Sequence, residues 1–191
     1  MSLANAVHFS LDIESLGTTV GSAIVSIGCV EFDPFSERLG ETFYSGINVE
    51  SCLRNGLTMD AQTVFWWLQQ SDEARKALAD TQVKDKLLLS DVLINFSTYL
   101  RNALFKSAKV GQRIWAKGPS FDVSIIEHAC KESGVPIPWK YNEPRCVRTI
   151  VESAMDPEVK FQGIEHNALD DAVYQARCVQ EAYRSLGIIY G

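Results

Sequence analysis

Val7-His-Phe-Ser-Leu-Asp-Ile-Glu-Ser-Leu-Gly17 is the stretch whose reading decides the fold. Residues 7–13 form a short apolar run of the kind that makes a buried strand. The run ends in two carboxylates, Asp12 and Glu14, and turns at Gly17. Side chains two apart on a strand share a face, so both carboxylates can reach one cation. Mg²⁺ and Mn²⁺ take hard oxygen ligands, with one or two carboxylates usually completed by water and phosphate oxygens. A polar strand end has the same composition, so this pair alone leaves both readings open.

Working outward, Ala23–Phe32 is a second β-branched run and Arg38–Ile47 alternates as a third, with turns at Asp33-Pro34 and Asn48. Three successive strands imply an antiparallel meander. The spacing then becomes helical over Met59–Gln70 and Asp72–Ala79, and over a longer helix capped by Ser90 that carries Val92, Leu93, Phe96, Leu100 and Leu104 on one face. Gln112–Ala116 reads as a short strand. Phe121–Glu132 reads as a helix stopped by Gly134, and Ala168–Leu186 as a terminal helix stopped by Gly187. Cys146–Ala154 fits either a strand end or a helix. The order predicts an α/β fold, a mixed central sheet flanked by helices. With the first strand at the centre of the sheet, Asp12 and Glu14 lie at its C-terminal end.

The 191 residues are 46% hydrophobic, enough for one domain over 7–191 behind a tail at 1–6. No apolar run is long enough to span a bilayer, and residues 1–7 have no signal-peptide pattern. Five widely spaced cysteines with no CxxC pair argue against a disulfide framework or zinc site and point to a reducing cytoplasm. A net charge of -6 disfavours tight nonspecific duplex binding. It leaves room for an enzyme that gathers carboxylates around cations.

Two more segments carry candidate chemistry. Asp122 follows the turn Lys117-Gly-Pro-Ser-Phe121 at a helix start, where a carboxylate also suits the helix dipole. His166-Asn-Ala-Leu-Asp-Asp171 places a histidine just before a helix and a carboxylate inside its first turns. Imidazole exchanges its proton near neutrality, which suits a base acting on water. Asp170 points about 100° away from Asp171 around a helix, so only one of the two faces a given site. Carboxylates on separate element ends, gathered by the fold, are what a two-metal phosphodiester-cleaving site needs.

In this order and at these separations, Leu11-Asp-Ile-Glu14, Ser120-Phe-Asp122 and His166-Asn-Ala-Leu-Asp-Asp171 resemble the three motifs of the DEDDh (DnaQ-like) 3′–5′ exonucleases, which have a ribonuclease-H-like fold. The resemblance runs from about residue 7 to about 186. Thr63-Val-Phe-Trp-Trp-Leu-Gln69 is similar to a narrower branch holding RNase AS-like exoribonucleases and phage DexA-like exonucleases. The resemblance implies two Mg²⁺ or Mn²⁺ ions. Asp12 would bridge them, Glu14 and Asp171 would complete one shell, and Asp122 would bind the second ion. His166 would be the general base. The products would be nucleoside 5′-monophosphates, and a homodimer is a frequent assembly. Ser15 departs from the common threonine of the first motif.

For substrate, residues 101–121 hold Arg101, Lys106, Lys109, Arg113 and Lys117 and no acidic residue. They read either as a track for a phosphate backbone or as a solvated face; Arg145 and Arg148 form a weaker pair. Phe121 and one of Trp66 and Trp67, with Trp67 the choice, are candidate stacking aromatics. Ser15, Leu16 and Gly17 are candidates for contacting the terminal sugar, and Ser120 completes the substrate set. The leading expectation is a 3′–5′ exoribonuclease acting on single-stranded ends. The alternatives are a 3′–5′ exodeoxyribonuclease and a nucleic-acid-binding module without catalysis.

Overall fold

The computed structural model describes residues 7–84, 87–106 and 112–189. The expected tail, residues 1–6, and Lys109 lie outside them, as do the side chains of residues 83, 84, 105 and 106. The strands are β1 (Val7–Ser15), β2 (Ile24–Phe32), β3 (Leu39–Gly46), β4 (Gln112–Ala116) and β5 (Pro144–Cys146). The helices are α1 (Val49–Arg54), α2 (Ala61–Leu68), α3 (Asp72–Lys84), α4 (Leu89–Lys106), α5 (Asp122–Glu132), α6 (Val147–Ser153) and α7 (Ala168–Ser185). The sheet order is β3-β2-β1-β4-β5. The first three strands are the expected antiparallel meander, and β4 and β5 join in parallel. β1 is therefore central, which explains why nearly every residue in it is buried.

Alternation along β1 divides its side chains between two layers. Val7, Phe9, Leu11 and Ile13 enter a core with Val92, Leu93, Phe96 and Leu100 of α4 and Val123, Ile125 and Ile126 of α5. The other parity, His8, Ser10, Asp12 and Glu14, faces α7. There Val30, Phe32, Trp115, Ala172, Ala176, Val179 and Tyr183 form a second core. The contacts show that α7 runs antiparallel to β1: Gln175 meets Asp12 near its start and Tyr183 packs against His8 farther along. The eight helical residues between them span about 12 Å, and the four strand residues from Asp12 to His8 about 13 Å, so helix and strand stay in step.

Three details differ from the sequence reading. α4 begins at Leu89 rather than after a Ser90 cap; Leu89 is fully buried and its N–H donates to Ser51 Oγ at 3.0 Å. The loop after Asn48 holds α1, capped by the Asn48 side chain, which accepts from the Ser51 N–H. Residues 144–153 are both a strand end and a helix, with Cys146 at the junction. Among the described residues, no helix is long and apolar enough to cross a membrane.

Candidate active site

Five residues expected from sequence meet at the C-terminal end of β1. Asp12 and Glu14 project from its α7 face. Register with β2 places Asp12 opposite Gly28. A Cβ on Gly28 would lie 2.2 Å from the Ala168 carbonyl carbon, so only glycine lets the start of α7 sit this close to the sheet. That close approach brings Asp171 to Glu14. Ligand atoms of Glu14, His166 and Asp171 all lie within 4.8 Å of one another, the only group among the described residues with the spacing to hold a metal ion.

Asp122 arrives by another route. Pairing between β1 and β4 reaches only from Val7–Gln112 to Ser10–Trp115. Beyond it the chain turns at Gly118 (φ 107°) into α5, and Asp122 Oδ1 accepts the Ile13 N–H at 3.2 Å. The carboxylate thus serves a strand amide that β4 no longer flanks. The adjacent aspartates of α7 divide as helical geometry requires. Asp170 accepts the Ile164 N–H at 2.8 Å, holding the turn before the helix, and Asp171 accepts the His166 N–H at 2.9 Å.

His166 has a left-handed backbone (φ 64°), a conformation that costs a non-glycine residue of order 1–3 kcal/mol. The bond to Asp171 and the rings of Trp66 and Trp67, with centroids 4.9 and 5.9 Å from the imidazole, hold it there. Trp67 is only 3% exposed, and its indole N–H donates to the Ser15 carbonyl at 3.0 Å. The Asp60 N–H donates to the Leu16 carbonyl at 2.7 Å. Both bonds tie α2 to the end of β1.

Burial is the largest cause raising all four carboxylates of the cluster. Burial first, then Asp122 and Asp171, raises Asp12 well above the usual carboxylate range. Burial, then Asp12, Asp171 and Asp122, does the same to Glu14. Burial pushes Asp122 up to about 6, opposed by the Ile13 N–H and the Arg148 guanidinium. Burial also raises Asp171, opposed by the His166 N–H and by charge on His166 and Lys117. Four carboxylates crowded in a low-dielectric pocket repel one another, and hard divalent cations are the partners their oxygens fit.

Not every expected contact is here. Arg113 pairs with His8, four strand residues below the level of Asp12, about 13 Å away. It therefore lies at the far end of the sheet and cannot reach the carboxylates. Trp67 is enclosed and offers no face for stacking; the exposed indole beside His166 is Trp66, at 41%. Ser15 is buried and its hydroxyl donates to the Gly17 carbonyl at 2.7 Å, so it shapes the turn. Leu16 gives its N–H to Ala23 and its carbonyl to Asp60, leaving its half-buried side chain as its contact surface. Lys117 and Ser120 are exposed and Phe121 is half-buried at the turn into α5. Lys117 is close enough to Asp12 and Asp171 to stabilise their charge. Arg148, one of the weaker basic pair read from sequence, does so for Asp122. Gln175, missed entirely, donates from Nε2 to Asp12 Oδ1 at 2.7 Å. Its spacing of four after Asp171 was the available signal. A cleft of about 1060 Å³ between residues 33–37 and α7 contains none of the five.

The profile of the 3′-5′ exoribonuclease Rv2179c-like domain matches residues 7–183. An exodeoxyribonuclease of Enterobacteria phage T4 is 25% identical over 166 residues, 77% of this chain and 71% of that protein. The nuclease domain of 3′hExo, a DEDDh family member bound to rAMP, superposes with a TM-score of 0.64 at 13% identity, covering 96% of this chain and 94% of that one. E. coli exonuclease I in complex with a dT13 oligonucleotide gives a TM-score of 0.62 at 12% identity over 97% of this chain and 42% of that one. The chain belongs to the Rv2179c-like 3′-5′ exoribonuclease domain family and is a 3′–5′ exonuclease, with the ribonuclease-H-like fold of the DEDDh-family nucleases.

Proposed function

We propose that this exonuclease degrades single-stranded RNA from its 3′ end to nucleoside 5′-monophosphates, with two Mg²⁺ or Mn²⁺ ions held by Asp12, Glu14, Asp122 and Asp171. The observation that carries the reading is the convergence of these carboxylates from β1, α5 and α7 beside His166. Bound divalent cations supply polarisation of the attacking water and of the scissile phosphate. His166 takes the proton of that water, its ring held by Trp66 and its backbone by Asp171. Lys117 attracts the phosphate, and Arg148 flanks Asp122. Leu16 and Gly17 bound the terminal sugar, and Trp66, Phe121 and Ser120 line the path of the strand. The cytoplasm, whose reducing conditions suit free cysteines, is the proposed location, and a homodimer the proposed assembly.

The preference for RNA is supported by the exoribonuclease profile. The relation to a phage exodeoxyribonuclease supports the second reading, a DNA exonuclease. Matched RNA and DNA oligomers labelled at the 5′ end, incubated with Mg²⁺ or Mn²⁺, separate the two. Faster stepwise shortening of RNA with release of 5′-monophosphates is expected; faster shortening of DNA would transfer the assignment to the second reading.

A further inference from the structure

We infer that Gln175 is a positioning residue for Asp12: its neutral amide donor fixes one carboxylate oxygen so that the other is presented to a divalent cation. The inference rests on the reading of Asp12 as a metal ligand. Each aspartate of the site receives an uncharged N–H from another residue. Ile13 donates to Asp122 Oδ1, His166 to Asp171 Oδ2, and Gln175 Nε2 to Asp12 Oδ1. The first two donors belong to the backbone, fixed by β1 and by the turn into α7. Asp12 lies mid-strand with its own amide in the ladder, so its donor comes from a side chain one turn along α7 from Asp171. Neutrality matters. A lysine or arginine here would pair with the carboxylate and oppose the entry of cations, whereas an amide orients it without adding charge.

A packing role does not explain the residue. Gln175 is 3% exposed, and its Oε1 is buried with no hydrogen-bond partner among the described residues. Leaving such an acceptor unpaired costs about 1–3 kcal/mol, so an apolar side chain of similar volume would pack there at no such cost. The amide contributes what an apolar side chain lacks, the bond to Asp12.

The test is direct Mn²⁺ binding without substrate, followed by electron paramagnetic resonance, in native protein, Asp12→Asn, Gln175→Met and Gln175→Leu. Native protein binds Mn²⁺, and Asp12→Asn weakens that binding. Both Gln175 variants weaken it roughly 10–100-fold, the usual effect of removing a group that orients a metal ligand. The Mn²⁺ concentration giving half-maximal hydrolysis rises in parallel, while the Tm of Gln175→Met is held or raised because the unpaired oxygen is gone. Unchanged Mn²⁺ affinity in both Gln175 variants, with Asp12→Asn impaired, would overturn the inference and leave the metal reading standing. Unchanged binding in Asp12→Asn would overturn the metal reading itself, and the inference with it.

Discussion

The indole of Trp66 meets the imidazole of His166 edge-on, with ring centroids 4.9 Å apart and planes at 75°. An exposed side chain of one helix thus supports the expected base of the reaction on another segment. Its neighbour Trp67 faces inward and bonds the end of β1. Trp66→Ala is expected to lower kcat roughly 10–100-fold by loosening His166, with little change in Tm. Trp67→Ala is expected to destabilise the fold by about 3–5 kcal/mol, because a buried aromatic is lost. Paired thermal melts and single-turnover rates check both; equal losses of Tm would refute the division of labour.

His166 as base makes the rate rise with pH through neutrality. His166→Ala is expected to flatten that rise and to cut the rate by about 10²–10⁴-fold while Mn²⁺ still binds. A pH–rate profile at saturating metal measures it, and an undiminished slope in the variant would assign the proton transfer to another group.

The clustered carboxylates link stability to pH in a defined direction. Burial raises Asp122 from 3.8 to about 6, so the folded state holds that proton more tightly than the unfolded chain. Such a group adds stability at low pH that is lost as pH rises, here between about 4 and 6. Asp12 and Glu14, also raised, contribute in the same direction. In chelator the Tm is expected to fall across this window, and Mn²⁺ to restore it near pH 7.5. Asp122→Asn should flatten the Asp122 part of the curve. A metal-free Tm that climbs from pH 5 to 7 would contradict the assignment.

Gly28→Ala forces a methyl group against the backbone at Ala168 and Leu169, 2.2–2.3 Å away. The start of α7 must retreat, carrying Asp171 and His166 from Asp12 and Glu14. A destabilisation of about 1–3 kcal/mol is expected, with a loss of activity that persists at temperatures where the variant is fully folded. Circular dichroism together with rates at 15 °C separates the two effects; native rates in the folded variant would show that α7 tolerates the shift.

Lys117→Ala removes an exposed cation next to Asp12 and Asp171. KM for oligonucleotides is expected to rise, and the salt dependence of KM to weaken, as a phosphate contact is lost. Arg113→Ala, at the far end of the sheet, should leave both unchanged. Titrations of KM against NaCl distinguish the two positions.

Most of the strands and helices were legible because they depend on local pattern. β1 and β2 are apolar and β-branched, and α7 repeats its small residues every four positions. The short α1 was missed since six residues of mixed polarity give no clear period, and the reading around Cys146 stayed open between strand and helix since a three-residue strand gives none at all. The candidate site aspartates were legible because each belongs to a recognisable motif. Arg113 misled because a run of positive charge along the chain says nothing about which end of a strand each residue occupies.

Sequence by itself determined the element types, the residues of the motif and their order along the chain, since propensity and spacing act over a few residues. Only the tertiary structure decided the Trp66–Trp67 division, the inward turn of Ser15 and the pairing of Gln175 with Asp12. Each of these depends on how α2 and α7 dock on β1. That docking is set by contacts between residues far apart in the chain, above all the closeness of α7 permitted at Gly28.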